Sequence, residues 1–146
     1  MDTRDNMENK QLKNLLELYR KSNRFGPWLG MDFTIEDGQV IYTLKTHHDH
    51  LATPEYVHGG VLAALMDAVM GVTALNEVYR EGKLVATIEM KLNYLRPVKS
   101  NQVLQAKAKI VSKGKRIIIL EGFIFNETQE MVSIGTGTFT TYSYSL

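Results

Sequence analysis

The chain has 146 residues, 44% of them hydrophobic and 23% charged, the make-up of one globular domain long enough to bury its own core. Seventeen Lys and Arg against sixteen Asp and Glu leave a formal net charge of +1, so no general attraction to nucleic acid or to an anionic membrane is expected. There is no cysteine, which excludes disulfides, thiolate nucleophiles and cysteine metal sites and suits a reducing compartment. The charged start Met1–Asn6 leads into no apolar run, and the longest apolar stretch, Val61–Leu75, is interrupted by Asp67 and falls short of the roughly 18 residues of a membrane span. A cytoplasmic protein with no membrane partner is expected.

Over Asn9–Lys21, Leu12, Leu15, Leu16 and Tyr19 recur at spacings of three and four, which predicts an amphipathic helix. Phe25-Gly26-Pro27-Trp28-Leu29-Gly30 ends it, so residues 1–29 read as a helix and connector ahead of a core spanning 30–146. Met31, Phe33 and Ile35, then Val40, Tyr42 and Leu44, alternate with polar residues on either side of Asp37-Gly38, the pattern of a hairpin. Thr46–Val57 is polar, His-rich and carries Pro54, which predicts a loop. Gly60–Asn76 is apolar on every face and predicts a central buried helix. From Leu84, Ala86, Ile88, Met90, Leu92 and Tyr94 alternate with Val85, Thr87, Glu89, Lys91 and Asn93 up to Pro97, predicting one long half-buried strand. Val103–Val111, Lys115–Phe125 and Met131–Tyr142 complete the strands. Strands in runs around one internal helix point to α+β, an antiparallel sheet curled about a helix.

Between Glu55 and Glu77 the only formal charge is Asp67. A carboxylate in an apolar helix needs a partner, a hydrogen bond or a proton. It is either a structural group facing solvent or a positioned nucleophile or base. His58-Gly59-Gly60 opens the same helix; glycine there admits a ligand to the backbone, and the helix start presents unpaired N–H groups and partial positive charge. Such N–H groups stabilise a developing oxyanion. Asp67 lies eight residues beyond Gly59, about 12 Å along the helix axis. Two antiparallel helices across a two-fold axis would bring Asp67 of one subunit to the helix start of the other, which predicts a site shared within a homodimer.

The segments Val57–Asp67 and Thr87–Pro97 together resemble the hotdog-fold acyl-CoA thioesterases of the PaaI-like group, and the resemblance runs from about Gly30 to the C-terminus. It implies a long central helix wrapped by a curved antiparallel sheet, subunits joined sheet edge to sheet edge in dimers or tetramers, and hydrolysis of acyl-CoA thioesters with no metal or organic cofactor. Carried over by position, Asp67 is the catalytic carboxylate, nucleophile or base for water. Gly59 supplies the N–H that polarises the carbonyl, His58 shapes the site, and Thr87 helps position water. The family often carries Asn or Gln six residues before the histidine; here that position is Ala52, leaving His50, Thr53 or Glu55 to take the role, weak turnover, or binding without hydrolysis.

Gly60, Arg96, Lys113, Lys115 and Arg116 are the residues expected on CoA, whose phosphates need cationic partners; the competing reading of the basic side chains is solvated strand ends. His47-His48-Asp49-His50 has the residue types of a metal site, but neighbours along a loop point apart, and a solvated loop with no metal is expected. Phe25, Trp28 and Tyr56 are expected to pack in the core rather than line an acyl pocket. Two other functions compete with the hydrolase: an acyl-CoA-binding module without turnover, and a hydroxyacyl-thioester dehydratase. No basic stripe interleaved with aromatics supports nucleic-acid binding.

Overall fold

The computed structural model describes residues 17–144. Residues 9–16 of the expected first helix lie outside that range; residues 17–22 are helical (α1) and are followed by the single helical turn α2, Phe25–Trp28. The hairpin is β1 (Met31–Glu36) and β2 (Gln39–Lys45), joined through Asp37 and Gly38, both at positive φ, as a two-residue turn requires. After the loop comes the central helix α3, Gly59–Val78. Then follow β3 (Lys83–Tyr94), β4 (Val103–Lys113), β5 (Ile117–Phe125) and β6 (Met131–Ser143).

The strands form one sheet in the order β1-β2-β4-β5-β6-β3, every neighbour antiparallel. β4, β5 and β6 are a simple meander, whereas β2 must reach β3 at the far edge. α3 makes that crossing, and so lies over the inner face of the curved sheet. Its Leu65, Met66, Val69 and Met70 are wholly buried with Leu104, Ile118, Leu120 and Phe139 from the strands. With the following 3₁₀ turn, α3 is long and apolar enough to cross a bilayer by composition. That is longer than the uncharged stretch suggested, but its apolar side chains are the core.

Glycines set how closely helix and sheet approach. Gly122 on β5 pairs with Gly135 on β6. A Cβ at Gly122 would run into Met66 Sδ, and one at Gly137 would meet Met70 Cε at 2.9 Å. The two methionines rest where the sheet has no side chains, and their unbranched thioethers fill the gap.

β3 departs from the expected single alternation. Its pairing with β6 slips between Thr87 and Glu89, so Ile88 is the extra residue of a β-bulge. Before it, Val85 and Thr87 face the helix; after it, Met90 and Leu92 do. Ile88 is left 55% exposed, not half-buried as the alternation implied.

Candidate active site

Asp67 stands midway along α3, partly buried. Thr87 Oγ1 donates to its Oδ1 at 2.7 Å, a bond that fixes one carboxylate oxygen, while the other has no hydrogen-bond partner among the described residues. The bulge at Ile88 turns Thr87 toward the helix, as bulges often re-aim a side chain beside a site. The pair sits in a cleft of about 290 Å³ whose other walls include Gly71, Leu75, Phe139 and Tyr19 of α1.

The helix start forms a second group. His58 is the N-cap, its Nδ1 accepting from Gly60 N–H at 2.8 Å, and its own N–H donates to the His50 carbonyl at 2.8 Å. Tyr94 Oη donates to the Gly59 carbonyl at 3.0 Å. Its ring lies where a Cβ on Gly59 would come within 3.2 Å, so a larger residue there would have to push the Tyr94 ring aside. No acidic residue occupies the first turn, and the helix-start N–H groups keep their partial positive charge. A separate cleft of about 300 Å³ adjoins this end, lined by Phe25, Trp28, Asp49, His50, His58 and Gly60.

The structure therefore brings Asp67 to Thr87, and His58 to Gly59 and Gly60, but sets the two groups about 12 Å apart on one helix, each beside its own cleft. The basic residues are divided as well. Arg96 lies just past Tyr94, bonded to the Met131 carbonyl at 2.6 Å and to Glu130 at 3.1 Å. Lys113 is at the other end of α3, paired with Glu77 at 3.3 Å and Glu81 at 3.0 Å. Those carboxylates raise its pKa, and Lys83 and Lys113 together lower that of Glu81. Lys115 and Arg116 at the β4–β5 turn are exposed, with no ion pair among the described residues.

Three expectations need correction. Phe25 and Trp28 are 57% and 77% exposed and stacked on each other at 6.1 Å on the rim of the helix-start cleft, and Tyr56 is also exposed; none is core. His50 is not a solvated loop residue but is 3% exposed, the buried last residue of the 3₁₀ turn His48–His50. That turn also makes neighbours converge: the ligand atoms of His47, His48 and Asp49 lie within 4.8 Å of one another, with His48 Nε2 2.9 Å from Asp49 Oδ1. Ala52 stands exposed, its N–H donating to the Tyr56 carbonyl at 2.9 Å. Tyr94 and Tyr19 were missed as site residues. Tyr94 read only as the end of a strand, and Tyr19 as one more apolar position on a helix, with no local signal in either case.

The thioesterase superfamily model matches residues 55–133, more than half of the chain and the span that carries both groups. The chain belongs to this superfamily. Its hotdog fold matches that of the PaaI protein of Escherichia coli, from the phenylacetic acid degradation operon, at a TM-score of 0.83 over 93% of this chain and 96% of that one, at 19% identity. A thioesterase of Haemophilus influenzae is 25% identical, at a TM-score of 0.79 and 90% coverage of each chain. A hypothetical thioesterase of Streptococcus pneumoniae, solved with coenzyme A, is 25% identical at 0.69, covering 80% of this chain and 89% of that one. A curated relative from Archaeoglobus fulgidus, provisionally named an esterase, is 22% identical over 71% of this chain, which spans only 65% of that relative's length.

Proposed function

We propose that this thioesterase hydrolyses acyl-CoA to the free acid and CoA as a homodimer, each site combining Asp67 and Thr87 of one protomer with the helix start of the other. The observation that carries the reading is the separation of the two groups along α3, each incomplete and each with its own cleft. Antiparallel α3 helices across a two-fold axis would set Asp67 against the partner's Gly59. β3 offers the joint: it is a twelve-residue edge strand, paired among the described residues only with β6, with Ile88 outward. Such an edge seeks a partner strand. The cysteine-free sequence suits a reducing, cytoplasmic setting.

In this arrangement the thioester oxygen lies at the N–H of the partner's Gly59. Asp67 takes a proton from water as the water oxygen bonds to the carbonyl carbon, or attacks that carbon itself to give an anhydride that water then opens. Negative charge gathers on the oxygen facing the helix start. Collapse breaks the C–S bond, the electron pair leaves on sulfur, and the proton ends on the thiol. The coenzyme A held by the streptococcal relative supports CoA as the leaving group. Lys115 and Arg116, which are in no ion pair among the described residues, suit its phosphates better than Lys113, and Gly60 lines the helix-start cleft.

Asp67→Asn is expected to lower thiol release from acyl-CoA by about 10²- to 10⁴-fold, followed with a thiol-reactive dye that has no protein cysteine to label. Ala52, a methyl where the family often has an amide, favours a second reading: acyl-CoA binding without turnover. Binding of acyl-CoA by wild type with no thiol release from any acyl group would replace the first reading with the second.

A further inference from the structure

The Asp67 cleft has a second room behind one wall. Tyr19 lines the cleft of about 290 Å³ that holds Asp67 and Thr87, and also a smaller one of about 80 Å³ walled by Met31, Phe33, Tyr42 and Asn23, with the mutually paired Arg20 and Asp32 at its edge. Among the described residues it is the one side chain common to both. The wall is fixed rather than loose. Asn23 Nδ2 donates to Tyr19 Oη at 3.1 Å, and the Tyr19 and Tyr42 hydroxyls lie 3.4 Å apart. The ring packs against Phe33 at a centroid distance of 6.0 Å. The next residue, Arg20, ties the helix to β1 through Asp32 at 2.6 Å and lies over the Phe33 ring at 3.9 Å. Burial keeps the Tyr19 phenol above its ordinary pKa, so the wall carries no charge.

The larger cleft also specifies what it can hold. Beyond Asp67 and Thr87 its described lining is Ala68, Gly71, Leu75, Leu84, Val85 and other apolar or phenolic groups, with no cation. A second carboxylate on the acyl group would be desolvated beside Asp67 without a partner. We infer that the acyl group is apolar and uncharged, and that Tyr19, carried by the N-terminal helix, sets the length it can reach. This rests on the thioesterase reading above and adds a specificity-determining residue to it.

The test compares wild type, Tyr19→Phe and Tyr19→Ala on straight-chain acyl-CoAs lengthened in two-carbon steps, and on ω-carboxyacyl-CoAs of matching length. Affinity for the corresponding non-hydrolysable acyl-CoA thioethers is measured in parallel. Tyr19→Phe is expected to keep the wild-type length profile. Tyr19→Ala is expected to join the two rooms and move the optimum of kcat/KM at least one step longer, gaining up to about fourfold per methylene newly buried. The thioether affinities should shift the same way. A uniform loss across all lengths would make Tyr19 merely structural and overturn the inference, as would an unchanged profile or ω-carboxyacyl groups accepted as well as apolar ones. If wild type hydrolyses nothing but thioether affinity still shifts with Tyr19→Ala, the hydrolase reading fails and the Tyr19 assignment stands. Should Tyr19→Ala fail to fold, Tyr19→Leu shortens the wall with less loss of packing and carries the same expectation.

Discussion

His50 shows how much a single side chain can hide from a sequence. Read in a run of four polar residues, it belongs to solvent; folded, its Nδ1 accepts from the His47 N–H at 3.3 Å and its Nε2 is buried with no hydrogen-bond partner among the described residues. The ring lies 3.7 Å from that of His47. Burial first, and the neighbouring His47 second, hold its pKa below the ordinary 6.5. The unfolded chain therefore takes up a proton at a higher pH than the folded one. Stability from this group is complete above the unfolded value and is lost as pH falls through it toward the folded value. His50→Gln is expected to flatten the decline in stability between about pH 7 and pH 5, followed by urea unfolding at each pH. An unaltered slope would assign the acid sensitivity to other groups. Asp67, by contrast, was legible from sequence, because a lone charge in an apolar helix demands an explanation. Its partner Thr87 was legible only through the family resemblance.

The elements were largely readable, since periods of two and of three to four residues are what strands and helices impose. β4 to β6 and the β1–β2 hairpin begin and end within a few residues of their alternating runs. The bulge in β3 was not readable, because the sequence alternates through Ile88 without a break and only pairing with β6 reveals the extra residue. The row of glycines on β5 and β6 was equally silent: its meaning lies in what crosses it. Gly122→Ala is expected to destabilise the fold by about 1–3 kcal/mol, since the new methyl meets Met66 and Met70 in a filled core. That corresponds to a fall in Tm of roughly 3–10 °C. A melting temperature unchanged in calorimetry would mean that the helix can lift from the sheet at no cost.

At the scale of the whole molecule, the proposed dimer would pair the β3 edge of the sheet and bring the two groups on α3, one from each chain, into a single site. Ile88→Lys places a charge on that edge and is expected to turn the dimer into monomers in analytical ultracentrifugation and to remove thiol release with it. A dimer that survives the substitution would move the two-fold axis away from β3; an active monomer would mean that one chain holds a complete site. The methionines seated on the glycine row have a further consequence, in the chemistry of oxidative damage. With no cysteine to consume peroxide, thioethers are its principal sulfur targets. Met66 and Met70 are fully enclosed, whereas Met90 and Met131 are only partly covered. Peptide mass spectrometry after mild peroxide treatment should find sulfoxide at Met90 and Met131 long before Met66 and Met70. The lag of the inner pair then times how often helix and sheet part company, and equal rates would show a core that breathes freely.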